Sequence, residues 1–179
     1  MSSDGSSLPA RHSGRSTRQQ RVLRREQRIL TAAETILVND GFLDMTMARI
    51  SHASKCPRST LYLHFASRQD IVVTLAYRAW QKRLELMQRG AKYLGRPRLR
   101  MAGIAEGFGL FYLLYPGHFA VLHEATETIC EQASPHRLEH LRRIERESAD
   151  LVRALLDEAV RAGCDAEEAN QATNRRMRR

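Results

Sequence analysis

The sequence predicts an all-α protein, with a small helical head at the N-terminal end and a longer helical body after it. Three observations carry this. Apolar residues recur at three- and four-residue spacing along most of the chain. Proline and glycine interrupt that pattern at Gly41, Pro57, Gly90, Gly95, Pro97, Pro116, Gly117, Pro135 and Gly163. Between residues 46 and 65 two short helical stretches are joined by the tight break Lys55-Cys56-Pro57, which is the pattern of a helix-turn-helix.

The elements follow in order. Residues 1–24 are rich in Ser, Arg and Gln and almost free of large apolar side chains, so they read as a disordered basic tail. Such a stretch is either a solubilising tail or an arm that lies along phosphates or enters a minor groove. A first helix is expected from Arg25 to Asn39, with Ile29, Ala33, Ile36 and Leu37 on its apolar face and Gly41 ending it. Thr46 caps a second helix of about two turns, carried by Met47, Ile50 and Ala53. The residue before a proline is pushed out of the helical region, so this helix stops before Pro57. Pro57 suits the first position of a third helix, in which Leu61 and Phe65 form the buried side. Ser67 and Asp70 form a capping box for a fourth helix, running to Gly90.

At this point the chain resembles the DNA-binding domain of the tetracycline-repressor (TetR) family. The resemblance rests on Ile29-Leu30-x-Ala32-Ala33, Asp40-Gly41-Phe42, Met45-Thr46, Ile50 and Ser59-Thr60-Leu61-Tyr62-x-His64-Phe65-x-Ser67-Arg68. It covers roughly residues 26 to 75. Its departures lie in the turn. Lys55 stands where the family usually has Gly, so a residue with a Cβ is asked to adopt a left-handed or otherwise adapted conformation. Cys56, Pro57 and Ser59 also differ from the usual residues.

The resemblance implies a helix-turn-helix domain over 25–70 and a helical ligand-binding and dimerisation domain over 71–166, whereas residues 167–179 read as a polar basic tail that departs from the family. It implies a homodimer reading a palindromic operator in double-stranded DNA, with a small-molecule effector. Arg58 and Thr60 suit base edges, since Arg pairs with guanine and Thr meets a thymine methyl. Ser59 suits a base or the backbone. Tyr62, His64, Arg68 and the helix end at Thr46 match positions that reach phosphate.

In the body, the fourth helix carries a stripe of Ile71, Val72, Leu75, Ala76, Ala79, Leu86 and Met87, with Tyr77 and Trp80 as core or interface residues. Leu99 to Tyr115 is apolar all round and reads as a central helix. Phe108, Phe111, Tyr112, Tyr115, Phe119 and Leu122, beside the gaps at Gly103, Gly107 and Gly109, are the expected walls of a largely apolar effector pocket. The competing reading is a close-packed core in which those glycines let helices approach. A sixth helix is expected from His118 to Gln132, and a seventh from Ser134-Pro135 to Ala162, with Gly163 as its cap. The seventh carries an apolar seam of Leu141, Ile144, Leu151, Leu155 and Ala159 between charged flanks, the pattern of a bundle or dimer helix. Family members usually continue with two more apolar helices, whereas Glu167 to Thr173 has almost nothing to bury, so the fold is expected to be shortened at its C-terminal end.

Composition narrows the function classes. The net charge of +9 is unevenly spread: +5 over residues 1–28, +7 over 29–100, −7 over 101–174 and +4 in the last five. A basic head fits a polyanion. The second reading of this charge is a non-specific architectural nucleic-acid binder using the Arg-rich ends. Nucleophile elbow, phosphate loop and HExxH motifs are missing, so no enzyme is expected. His118 and His123 are five apart, the wrong spacing for one helical face, so no metal site or cofactor is expected and a solvated histidine is the simpler reading. Three widely spaced cysteines imply no disulfide framework and a cytoplasmic home. No apolar stretch is long enough for a membrane span, and the start shows no signal peptide.

Overall fold

The computed structural model describes residues 13–92 and 95–177, the side chains of residues 13–17 and of those after 163 excepted. Eight helices occur among the described residues, with no strand: α1 Ser13–Asp44, α2 Met47–Ala53, α3 Arg58–His64, α4 Arg68–Ala91, α5 Pro97–Leu114, α6 Pro116–Glu124, α7 Glu127–Glu131 and α8 Pro135–Met177. The all-α class and the N-terminal helix-turn-helix are as the sequence predicts.

One core joins head and body. Ile29, Leu37, Met45, Ile50, Leu61 and Phe65, from the first three helices and their links, pack with Ile71 and Val72 of α4, and the same cluster continues to Val121, Cys130, Leu141 and Ile144. The spacing of Ile29, Ala33, Ile36 and Leu37 puts these residues on one face of α1, which is why that helix packs where it does. At Gly41 the backbone turns to φ 79°, ψ 174°, and the helix kinks there. A side chain at that φ would be strained even though nothing stands within 4 Å of where it would be.

Several boundaries differ from expectation. The helix begins at Ser13, so residues 13–24, expected to be disordered, are helical; residues 1–12 lie outside the described region. Gln, Arg and Leu in this stretch are good helix formers, and the helix extends without a core to bury. Similarly α8 runs through Gly163 to Met177. One glycine costs about 1 kcal/mol in a helix, too little to stop one built of Ala, Glu, Gln and Arg.

The single helix expected over 118–132 is two. Ala125 adopts φ −76°, ψ 61°, and the Thr126 N–H donates to the Glu124 carbonyl over 2.8 Å, an inverse γ-turn. The turn redirects the chain so that Cys130 and Ala133 enter the core.

The expected central helix is also corrected. Only one side of α5 is buried, through Gly103, Ile104, Gly107 and Phe111, while Leu110, Leu113 and Leu114 are exposed, Leu113 to 71%. Gly103 and Gly107 serve approach to α4. A Cβ on Gly90 of α4 would fall 2.0 Å from the Gly103 carbonyl oxygen, and one on Gly107 would fall 2.7 Å from the Leu86 carbonyl oxygen. All-round apolarity therefore marks two faces with different uses, one packed on α4 and one turned outward.

Candidate nucleic-acid interface

The turn between α2 and α3 aims the second helix. The Thr46 hydroxyl accepts from the Arg49 N–H at 3.2 Å and caps α2. Arg49 itself pairs with Asp40 at 2.6 Å, tying α2 to α1. The end of α2 is a Schellman motif: the Lys55 N–H donates to the His52 carbonyl at 3.2 Å, and the Cys56 N–H to the Ser51 carbonyl at 3.1 Å. Lys55 occupies the left-handed position with φ 51°, as the missing glycine implied. The Ser51 hydroxyl donates to the Cys56 carbonyl at 2.7 Å and braces the turn from within. Pro57 is the N-cap of α3 rather than its first helical residue, with its carbonyl accepting from Leu61 N–H at 3.0 Å.

Leu61 and Phe65 anchor α3 in the core. The opposite face carries Arg58, Ser59, Tyr62 and Leu63, all exposed and at the i, i+1, i+4, i+5 spacing that shares one side of a helix. Thr60 is half-buried at the edge of that face. Leu63, 85% exposed, was not among the expected contact residues; an apolar residue on a short amphipathic helix reads as core until the register is known.

The remaining expected contacts are more engaged with the protein. His64 is half-buried, and its carbonyl accepts from Arg137 of α8 at 2.8 Å. Arg68 lies 4.2 Å over the Phe42 ring and donates to the carbonyls of Phe42 and Leu43 at 3.2 and 3.4 Å. Thr46 is exposed at the start of α2.

Behind this surface lies a buried polar hub. Asp70, 1% exposed, accepts from the Ser134 N–H at 2.7 Å, the Ser134 hydroxyl at 2.8 Å and the Ala66 N–H at 3.2 Å. Arg137 donates to Thr74 Oγ1 at 2.8 Å and lies 4.7 Å over the Phe65 ring. A second link to the head runs through α6. His118 Nδ1 is 2.9 Å from Glu34 Oε1 of α1, so this histidine is paired across helices rather than simply solvated.

The residues expected around an effector divide. Phe108, Phe111, Phe119 and Leu122 line a cavity of about 210 Å³ together with Arg83 and His123. Tyr112 and Tyr115 do not line it. Tyr112 packs edge-on to Phe119 with centroids 4.8 Å apart, and Tyr115 stacks on Phe111. A larger groove of about 410 Å³, between α4 and α8, includes Trp80, Arg83, Met87, Glu145, Ser148 and Leu156. Arg83 borders both spaces, stacked 3.9 Å over Trp80 and 4.9 Å over Phe108. Burial holds its guanidinium below the usual arginine range. Glu145 is pushed up, first by burial, with the Trp80 hydrogen bond acting in the opposite direction.

The protein is all-helical among the described residues, with an N-terminal helix-turn-helix whose second helix turns Arg58, Ser59, Tyr62 and Leu63 outward. Residues 29–75 match the family model described as bacterial regulatory proteins, tetR family. The fold is similar to that of the TetR family transcriptional regulator PfmR from Thermus thermophilus, at 17% identity, covering 76% of this chain and 71% of that one with a TM-score of 0.65. It is similar also to a bacterial regulatory protein in the tetR family from Rhodococcus RHA1, at 13% identity over 78% and 71% of the two chains, TM-score 0.67. A putative tetR family transcription regulator from Shewanella sp. PV-4 matches at 18% identity over 86% and 92%, TM-score 0.54. No curated protein matches in sequence. The chain thus has the TetR-family fold and carries that family's helix-turn-helix region. Among the described residues no helix is long and apolar enough to cross a membrane.

Proposed function

We propose that this chain is a sequence-specific transcriptional regulator that represses as a homodimer on a palindromic operator and is released by a small, largely apolar ligand. The observation that carries the DNA reading is the exposed face of α3. Arg58, Ser59, Tyr62 and Leu63 project from a helix whose other side is fixed by Leu61 and Phe65. Arg58 pairs with a guanine edge, Leu63 or the half-buried Thr60 meets a thymine methyl, and Tyr62 reaches a phosphate. Thr46 adds a phosphate contact from α2.

Exposed apolar side chains on α5 and α8, among them Leu110, Leu113, Leu114, Leu156 and Val160, supply surface for a second copy. A dimer sets two recognition helices about 34–36 Å apart, one turn of DNA. The cavity lined by Phe108, Phe111, Phe119 and Leu122 suits the apolar body of an effector. Such a ligand shifts operator binding only if it favours one spacing of the heads over another.

Selection of binding sites from a random duplex library tests this reading. A palindromic consensus is expected, and Arg58→Ala is expected to relax discrimination at one base position by about 1–3 kcal/mol. Uniform retention of all sequences would sink it and favour the architectural alternative.

A further inference from the structure

The N-terminal part of α1 does something that core packing does not require. From Ser13 to Arg28 the helix spans about 23 Å at 1.5 Å per residue, yet among the described side chains none before Ile29 is buried. Arg18, Arg21, Arg25 and Arg28 follow at spacings of three, four and three, which puts them on one side of that extension. All four are exposed, and among the described residues no carboxylate lies within ion-pair distance of any of them. Like charges so spaced on one helix repel one another.

The stripe has a defined place beside the recognition helix. Arg28 borders a groove of about 360 Å³ whose other side is formed by Ser54 and Lys55, in the turn that launches α3. Gln27 lines the same groove while accepting from Arg78 of α4 at 2.6 Å, and Glu26 is turned toward α4, with Arg78 3.7 Å away. By helical spacing the arginines lie on a different side of α1 from Glu26, and Arg28 continues the basic surface that begins at Lys55.

We infer that this stripe is a second DNA-binding surface, which tracks the sugar–phosphate backbone outside the base pairs read by α3. From Arg18 to Arg28 the helix rises about 15 Å, a length that covers about four base-pair steps at about 3.4 Å each measured along the duplex axis. The surface makes no base contact, so it adds affinity and salt sensitivity without adding discrimination. The inference rests on the duplex-DNA reading above and goes beyond it by assigning the flanking backbone to α1.

The test uses the full chain with Arg18, Arg21 and Arg25 changed together to Gln, and a companion with all three changed to Lys. Binding is measured over a several-fold range of salt on a selected site extended by one helical turn on either side, and on a scrambled duplex of equal length. The Gln variant is expected to lose about 2–3 from the slope of log affinity against log salt, near 0.9 per phosphate contact. Its hydroxyl-radical footprint should shrink at the flanks while the ratio of selected to scrambled affinity stays the same. The Lys variant should keep the slope of the parent. An unchanged slope and footprint in the Gln variant overturns the inference, and so does a Lys variant that loses as much as the Gln variant. If the parent does not discriminate between the two duplexes, the regulator reading fails by itself; loss of slope on both duplexes would still uphold the stripe.

Discussion

Arg137, in the first turn of α8, donates to the backbone carbonyl of His64, at the end of the recognition helix, across 2.8 Å. The contact joins the body of the protein directly to the element that faces DNA. Asp70 beneath it binds both the N–H and the hydroxyl of Ser134, so the start of α8 is locked to the start of α4 as well. The Arg137 and Asp70 charges lie 3.9 Å apart, with the Asp70 side chain almost fully enclosed.

Breaking this hub from either side should be costly. Asp70→Ala leaves the donors of Ser134 and Ala66 unpaired and is expected to destabilise the fold by about 3 kcal/mol or more. Arg137→Met keeps much of the bulk over Phe65 but strands the His64 carbonyl and Asp70, at an expected cost of about 2–3 kcal/mol. Urea unfolding of both single variants and the double variant measures the values and their coupling. Losses within about 0.5 kcal/mol, as for ordinary surface substitutions, would show that the hub holds nothing.

Lys55 gives a prediction of opposite sign. A left-handed residue with a Cβ costs about 1–2 kcal/mol, and glycine gives back roughly 0.5–1 kcal/mol of that in backbone entropy. Lys55→Gly should therefore raise stability by about 0.5–1 kcal/mol, since φ is 51° and the Schellman hydrogen bonds need only the backbone. Lys55→Val should lower it, because a β-branched side chain tolerates that φ least. Thermal unfolding of the two variants against the parent decides the order.

The glycines of α5 make a controlled pair. Gly107→Ala puts a methyl 2.7 Å from a backbone oxygen of α4, so the two helices must separate. The expected loss is about 1–3 kcal/mol or more, typical of overpacking. Gly109, two residues along the same helix, has nothing within 4 Å. Gly109→Ala is therefore expected to stabilise by up to about 1 kcal/mol through helix propensity alone. Equal effects at both positions would refute the close approach of α4 and α5.

How much of this was legible in the sequence depends on how local the cause is. The caps at Thr46 and Ser67, the kink at Gly41 and the left-handed Lys55 follow from residue types at adjacent positions, and the structure has each of them. The start of α1 is not legible from a missing apolar face, nor the end of α8 from Gly163 as a cap, because helix propensity is enough to continue a helix already nucleated. Leu63 was missed because its exposure depends on the register of α3 against the core. Arg137 and Glu34 escape the sequence because their partners are distant along the chain, 73 positions for Arg137 and His64 and 84 for Glu34 and His118. No spacing rule reaches that far. The split of Phe108, Phe111, Phe119 and Leu122 from Tyr112 and Tyr115 has the same origin: all six are aromatic or apolar, but only tertiary packing decides which of them turn to a common space.

The groove between α4 and α8 makes stability depend on pH through Glu145. Burial raises the pKa of this carboxyl above its ordinary value, so the folded chain holds the proton more tightly than the unfolded chain. The associated stability is complete below the ordinary carboxylate value of about 4.3 and is lost as pH rises through the raised value. Arg83 and Arg142 oppose the shift, but burial is the larger cause. Glu145→Gln removes the titration while keeping a polar group of similar shape beside Trp80. The variant should thus gain in melting temperature relative to the parent as pH rises from about 4.5 toward neutrality, with the two closest at the acid end. A difference that is flat across that range, or that grows toward acid, would mean that the Glu145 carboxylate is held by its arginine neighbours more strongly than burial penalises it.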